Sequence, residues 1–383
     1  MAQRRRRHER HWARLSLTVV ASVLLVAAAG VVAGLALTRH NQSASTASSE
    51  LTPGASSAAS GPATSQPQSA LASAPGGQGS GKKANSHGAK PEVLRSVNCG
   101  PDPHLCGFPD ETNTGVPAGA ALRSVPGEVS RGPGWTSSAQ GDVEVSGNGA
   151  VFEGYIVHGY IDVTGSNVTI KGNEIINSGN DIDGDGINLS GNPSNVTIEN
   201  NTIYSPNGSH GAGGIFAGIK DINGESRGTQ VLGNNIADAS TGVQIYMGLI
   251  ENNYIHDVAP AAPDSHLNGT TSNGSTVPLT IQHNTVFNPN GQTDAVSLFE
   301  DFGPEANVVI NNNLLAGGGY VVYGGQNDGG PQAYNIRITN NRFSTIYYPQ
   351  SGYYGYIAAF DPHAPGNVWS GNVWDSNNKP LGA

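Results

Sequence analysis

Three groups of side chains in this 383-residue chain have types and spacings that could do chemistry. The densest is Asn180-Asp-Ile-Asp-Gly-Asp-Gly-Ile187, which sets Asp181, Asp183 and Asp185 at alternating positions. Carboxylates so spaced offer oxygen ligands to Ca²⁺. No Glu stands at the twelfth place counted from Asp181, where Asn192 is found, so an EF-hand loop is ruled out and a solvated acidic turn is the alternative. The second group is Asp264 and His266, on a long turn that begins after His256. His266 is a candidate base there, or a plain polar turn residue. The third is Asp294 with Glu300 and Asp301, the last two within Leu298-Phe-Glu-Asp-Phe302. Two carboxylates can cleave a glycosidic bond as acid and as base or nucleophile, depending on their separation. Alternation along a strand puts Glu300 and Asp301 on opposite faces, so Asp294 and Asp301 converge only through a turn.

Basic residues are too few for some chemistries. Residues 96–383 carry 8 Lys/Arg against 26 Asp/Glu, a net of −18, whereas residues 1–95 carry a net of +8. An acidic domain lacks the basic face that nucleic acid requires, so nucleic-acid binding is excluded. An eliminating lyase needs cations to neutralise a uronate, and only Lys220 and Arg227 fall near the candidate residues. A polyanionic substrate would be repelled unless Ca²⁺ bridged it, which favours a neutral glycan or no substrate.

The elements that must position these groups follow from a repeat. From about residue 150 one phrase recurs: apolar-x-apolar, two residues, Asn, one residue, apolar. It reads Val168-Thr-Ile-Lys-Gly-Asn173-Glu-Ile175 and Val196-Thr-Ile-Glu-Asn-Asn201-Thr-Ile203, and later copies end in Asn234, Asn253, Asn284, Asn313, Asn341 and Asn372. In a weaker first copy, Val151-Phe-Glu-Gly-Tyr, Tyr155 takes the Asn place. Self-similarity at such a period marks a solenoid. The local period is two, the sign of strands with one buried face, and no copy holds a helical stretch. With 53 Gly and 23 Pro, the composition also argues against helical bundles. The expectation is an all-β, right-handed parallel β-helix over residues 141–378. In it the recurring Asn sits at a sharp bend, tolerates left-handed backbone angles, and bonds its counterpart in the next coil. Stacking the later strands places Asp185, Thr241, Asn268 and Asp294 in one column on the flank. Tyr347, Tyr348, Tyr353, Tyr354 and Tyr356 near the C-terminus are read as a cap over the open core, with sugar stacking as the alternative.

The segment Cys106-Gly-Phe-Pro-Asp-Glu-Thr-Asn-Thr-Gly-Val-Pro-Ala-Gly resembles the start of secreted actinobacterial right-handed parallel β-helix repeat proteins of the pectate-lyase-like superfamily. The run Phe302-Gly-Pro-Glu-Ala-Asn-Val-Val-Ile-Asn-Asn-Asn-Leu-Leu, followed by Gly317-Gly-Gly-Tyr-Val-Val-Tyr, is similar to their later coils. The likeness covers about residues 99–375 and implies the fold more than any activity, because this architecture hosts lyases, hydrolases, epimerases and adhesins. Where such proteins often read His-x-Asp-Gly-Ile, this chain has His266-Leu-Asn268-Gly-Thr. Asn cannot ionise, so any acid–base or metal duty of that aspartate is lost here.

The first hundred residues speak of location. Six arginines within residues 1–14 precede a charge-free stretch from Leu15 to Leu37, which is long enough to span a bilayer. An uncleaved anchor with the bulk outside is favoured over a cleaved signal sequence. Residues 38–95 are rich in Ser, Ala, Gly and Pro and are expected to form a disordered linker. Cys99 and Cys106, the only cysteines, lack further ligands at metal spacing and read as a disulfide stapling an N-terminal cap over residues 96–140.

Together these readings give a membrane-tethered or secreted β-helix that engages polysaccharide of the cell envelope or surroundings. As an enzyme, a lyase or hydrolase, it would use Asp185, His266, Asp294 and Asp301, with Lys220, Arg227, Gln244 and Asn268 contacting substrate. Ca²⁺ is the one cofactor considered. The rival is a non-catalytic glycan-binding or structural module.

Overall fold

The computed structural model describes residues 98–383 apart from 179–183, 208–212 and 328. The expected anchor (15–37) and linker (38–95) lie outside the described residues, as do Asp181 and Asp183 of the calcium reading. Among the described residues no helix is long and apolar enough to cross a membrane.

The chain is a parallel β-solenoid whose strands form three sheets of ten, eleven and nine members. One coil shows the logic. Thr169–Lys171 lies in the third sheet, Glu174–Ile176 in the first and Ile187–Leu189 in the second, before Thr197–Glu199 returns to the third. Each strand pairs in parallel with its counterpart one coil on, as Ile170 with Ile198 and Ile175 with Ile203. The inward column of the third sheet (Ile170, Ile198, Val231, Ile250, Ile281, Ile310, Ile338) is at most 1% exposed. Burial of these β-branched side chains from three sides is the main stabilising term.

The recurring asparagines stack as the period demands. Asn173 Nδ2 donates to Asn201 Oδ1 at 3.0 Å, and six further links of 3.0 Å carry the ladder through Asn234, Asn253, Asn284, Asn313 and Asn341 to Asn372. Tyr155, at the head, donates its backbone N–H to Asn173 Oδ1. The left-handed backbone angle falls one residue earlier than expected, at Gly172, Asn200, Gly233, Asn252, His283, Asn312, Asn340 and Gly371. One residue makes the bend and the next turns its amide inward.

Cys99 and Cys106 are joined in a disulfide. It does not sit at the first coil, where a staple was expected. Residues 98–122 run as a strap outside the first sheet, from its last strands to its first. Gly100 N donates to Asp375 Oδ2, Phe108 stacks on His283, Gly115 N donates to Gly233 O, and Arg123–Val125 finally pairs with Tyr155 to Val157. The disulfide packs with Phe108, Phe287, Leu314 and Ala316 under the strap. Trp135 closes the first coil against Phe152 and Tyr155.

Candidate functional site

The outer surface of the second sheet gathers most of the residues singled out from the sequence. Ile187, Ile219, Val243, Thr270, Val296 and Val322 lie in one column that is fully buried. By alternation their successors point away from the core, Lys220, Gln244 and Tyr323 partly exposed and Asn188, Thr271 and Ser297 buried. A second outward column stands on the other side of a bend. At Gly186, Gly218, Gly242 and Gly269 an added Cβ would strike the core residues Ile203, Ile236, Ile255 and Val286, so these positions point inward. Their predecessors Asp185, Ala217, Thr241 and Asn268 therefore point out, followed by Asp294. Thr241 pairs with Asn268 and Asn268 with Asp294, as the repeat predicts.

The columns are bonded within and between themselves. Asn268 Nδ2 donates to Thr241 Oγ1 at 3.2 Å, and Gln244 Nε2 to the Tyr246 hydroxyl at 3.2 Å. Lys220 Nζ lies 3.9 Å from Asp185 Oδ2, so the cation nearest the columns is already engaged by a carboxylate. Arg227 is elsewhere: its carbonyl accepts from Asn195 N at the corner that opens the third sheet, and its side chain is exposed.

Asp294 is the most constrained of the acids. It is fully buried and among the described residues neither carboxylate oxygen has a hydrogen-bond partner, the Ser297 hydroxyl being near without bonding geometry. Burial pushes its carboxyl well above the usual carboxylate range, against a smaller lowering by Ser297. The other acids do not join it. Four strand steps of ~4.8 Å put Asp185 about 19 Å away. Asp301 is exposed beyond the far end of Asp294–Leu298 and acts on Tyr246 instead. The Asp185 separation is too long for the acid–nucleophile pairs of ~5–9.5 Å known for glycoside cleavage. His266 and Asp264 are exposed on their turn, with no hydrogen bond to either side chain among the described residues. Among the described residues no group of three or more His, Cys, Asp or Glu converges as a metal site would need.

Two features were not read from the sequence. The first is a row of six aromatic rings across the outer face. Centroids follow one another from Phe299 to Tyr323 (5.5 Å), Tyr320 (5.7 Å), Tyr354 (5.8 Å), Tyr353 (4.8 Å) and Tyr348 (5.6 Å). Tyr353 and Tyr354 are 55% and 61% exposed, so they do not cap the core. Tyr356 does, packing on Phe343, Trp369 and Trp374. The row meets the columns at Tyr320 and Tyr323, and the charge of Asp294 adds to the burial that raises the Tyr323 phenol. The Tyr-Val-Val-Tyr pattern was legible, but its junction with residues thirty positions later was not. The second is Glu305, fully buried at the turn into the third sheet, its carboxyl pushed up to about 7 by burial. Nothing in its local sequence distinguishes it from an exposed turn acid.

No protein-family model and no curated protein matches this chain. Among solved structures it is similar to the catalytic unit of a thermostable GH87 α-1,3-glucanase from Streptomyces thermodiastaticus strain HF3-3, at 15% identity and a TM-score of 0.36, over 62% of this chain and 51% of that one. It is also similar to the Dettilon tailspike protein, at 16% identity and a TM-score of 0.39, over 62% and 60%. The chain thus spans between half and two thirds of each.

Proposed function

We propose that the outer face of the second sheet binds an extended, uncharged polysaccharide, and does so without cleaving it. The observation that carries this reading is the aromatic row itself, exposed at Tyr353 and Tyr354 and meeting the second sheet at Tyr320 and Tyr323. Tyrosine faces give a sugar ring an apolar surface while their hydroxyls stay wet. On the same face the half-buried Gln244 amide offers a donor and an acceptor to a sugar hydroxyl. The domain's net charge of −18 and the engagement of Lys220 by Asp185 disfavour uronates. Within this reading residues 15–37 anchor the chain in the cell membrane or act as a cleaved signal, and the solenoid meets glycan outside the cell.

The cleaving alternative rests on Asp294, whose carboxyl burial pushes well above the usual carboxylate range, the direction a general acid needs. Among the described residues no second carboxylate or histidine is hydrogen-bonded to it.

The test is a binding screen of the full chain against neutral and uronate glycans, with new reducing ends and unsaturated products assayed in parallel. Binding to a neutral glycan that falls at least tenfold in Tyr354→Ala, with no product, is expected. Product that disappears in Asp294→Asn would transfer the case to the enzyme, and failure to bind any glycan would end both.

A further inference from the structure

The strap over the first sheet leaves a cleft along one flank. One cavity, of about 490 Å³, lies between Asn113 and Gly115 of the strap and Lys171, Glu199 and Asn200 at the corner where the third sheet turns into the first. A second, of about 390 Å³, lies between Pro109 and Asn113 of the strap and the corner residues Asn200, Gly233, Asn252 and His283. Asn113 and Asn200 line both cavities, which are therefore two halves of one cleft. Each half falls within the range of about 300–1,000 Å³ usual for ligand sites. The corner residues belong to successive coils, since Lys171, Glu199, Leu232, Glu251 and Gln282 pair in register. Four strand steps of ~4.8 Å give the cleft a length of about 19 Å along the solenoid axis.

Its lining is polar and carries no unengaged cation among the described residues. Lys171 Nζ lies 3.3 Å from Glu153 Oε1. Glu199 beside it has no ion pair and no hydrogen bond to its side chain among the described residues, and the same holds for the exposed amide of Asn200. His283 Nδ1 lies 2.6 Å from Asn252 Oδ1, so Nδ1 is the donor there and Nε2 remains free for a ligand. An anion entering the cleft meets two carboxylates and one ammonium already paired, and an apolar ligand would leave the amides without partners. A hydroxyl donates and accepts at once, and so satisfies an amide, a carboxylate and an imidazole nitrogen in turn. We infer that this cleft is a second glycan site, which takes an uncharged oligosaccharide lying along the solenoid axis. It is separate from the aromatic row, which crosses the second sheet, and the inference stands whether or not that face binds glycan.

Saturation-transfer NMR on the full chain tests it, with maltohexaose, laminarihexaose, cellohexaose and chitohexaose as neutral probes and trigalacturonate as the anionic control. At least one neutral probe is expected to bind saturably and to keep binding in Tyr354→Ala. Adding Asn200→Gly or Glu199→Gln to Tyr354→Ala should weaken that binding by about threefold or more, the loss of one neutral hydrogen bond. Folding is not at stake in either variant. Glycine already stands at this corner place in the neighbouring coils, at Gly172 and Gly233 with φ 60° and 61° against 53° at Asn200, and Gln keeps the shape of Glu199. Absence of saturable binding by every neutral probe would overturn the inference, as would a preference for trigalacturonate. Binding that Tyr354→Ala abolishes would assign the glycan to the second sheet alone and overturn it as well. So would binding in Tyr354→Ala that neither added substitution alters.

Discussion

Asn284 Nδ2 donates to Asn313 Oδ1 at 3.0 Å, and both side chains are wholly buried at the corner between the third and first sheets. The same nitrogen also donates to Ile250 O, while Asn284 Oδ1 receives both the backbone N–H and the side-chain amide of Asn253. Each ladder amide thus bonds three coils. Removing one orphans donors and acceptors where no water reaches, which costs more than the bond itself contributed.

Asn284→Ala should therefore destabilise the solenoid by about 3 kcal/mol. Urea unfolding followed by circular dichroism measures this, and a loss under about 0.5 kcal/mol would mean that the ladder decorates the corner rather than holding it.

The residue before each ladder position makes a different demand. Asn312 has φ 53°, a region costly to side chains with branched Cβ atoms. Asn312→Gly should be neutral or slightly stabilising, and Asn312→Val should cost about 1–2 kcal/mol. Equal midpoints for the two variants would contradict the assignment of the bend to this position.

Glu305 sets a pH dependence. Burial pushes its folded carboxyl up to about 7 from the ordinary 4.5, so between those values the folded chain binds more protons than the unfolded one. In the absence of divalent cations, stability from this group is present below about pH 4.5 and lost as pH rises through about 7, by roughly 3 kcal/mol. Glu305→Gln should flatten that slope in EDTA. An unchanged profile of Tm against pH would show that the carboxyl is not desolvated in solution.

The tyrosines near the C-terminus should separate by role. Tyr354→Ala removes an exposed ring from the row and should weaken glycan binding while moving Tm by no more than about 2 °C. Tyr356→Ala opens the core beside Phe343, Trp369 and Trp374 and should cost about 3 kcal/mol. Parallel melting and binding curves check both. Reversed phenotypes would return Tyr354 to the cap.

Asp294→Asn replaces a buried carboxyl by a neutral group of the same shape. Because burial raises the native carboxyl, the wild type loses stability with rising pH above about 4, and the variant should be the more stable at pH 7. The difference should vanish near pH 3. A variant less stable at pH 7 would mean that the carboxylate has a partner in solution.

By itself the amino-acid sequence determined the coil. The Asn period, the strand alternation at Val168/Ile170 and its later copies, the pairing of two cysteines eight positions wide, and the Thr241–Asn268–Asp294 column are all local or repeat-encoded, because parallel strands in register copy one residue's environment to the next coil. What the tertiary structure alone decided lies between coils or across corners. Asp185 and Asp294 share a column yet stand too far apart to cooperate, a fact of strand count rather than of residue type. The strap over residues 98–122 carries the disulfide to the last coils, since its contacts span up to 275 positions. Glu305 is buried because turns from neighbouring coils close on it, and Tyr354 is exposed because it lies in the bend before Gly355–Ala358, whereas Tyr356 within that strand packs on Phe343, Trp369 and Trp374. Spacing within a repeat is written in the chain; which side of a corner a side chain ends on is set by packing.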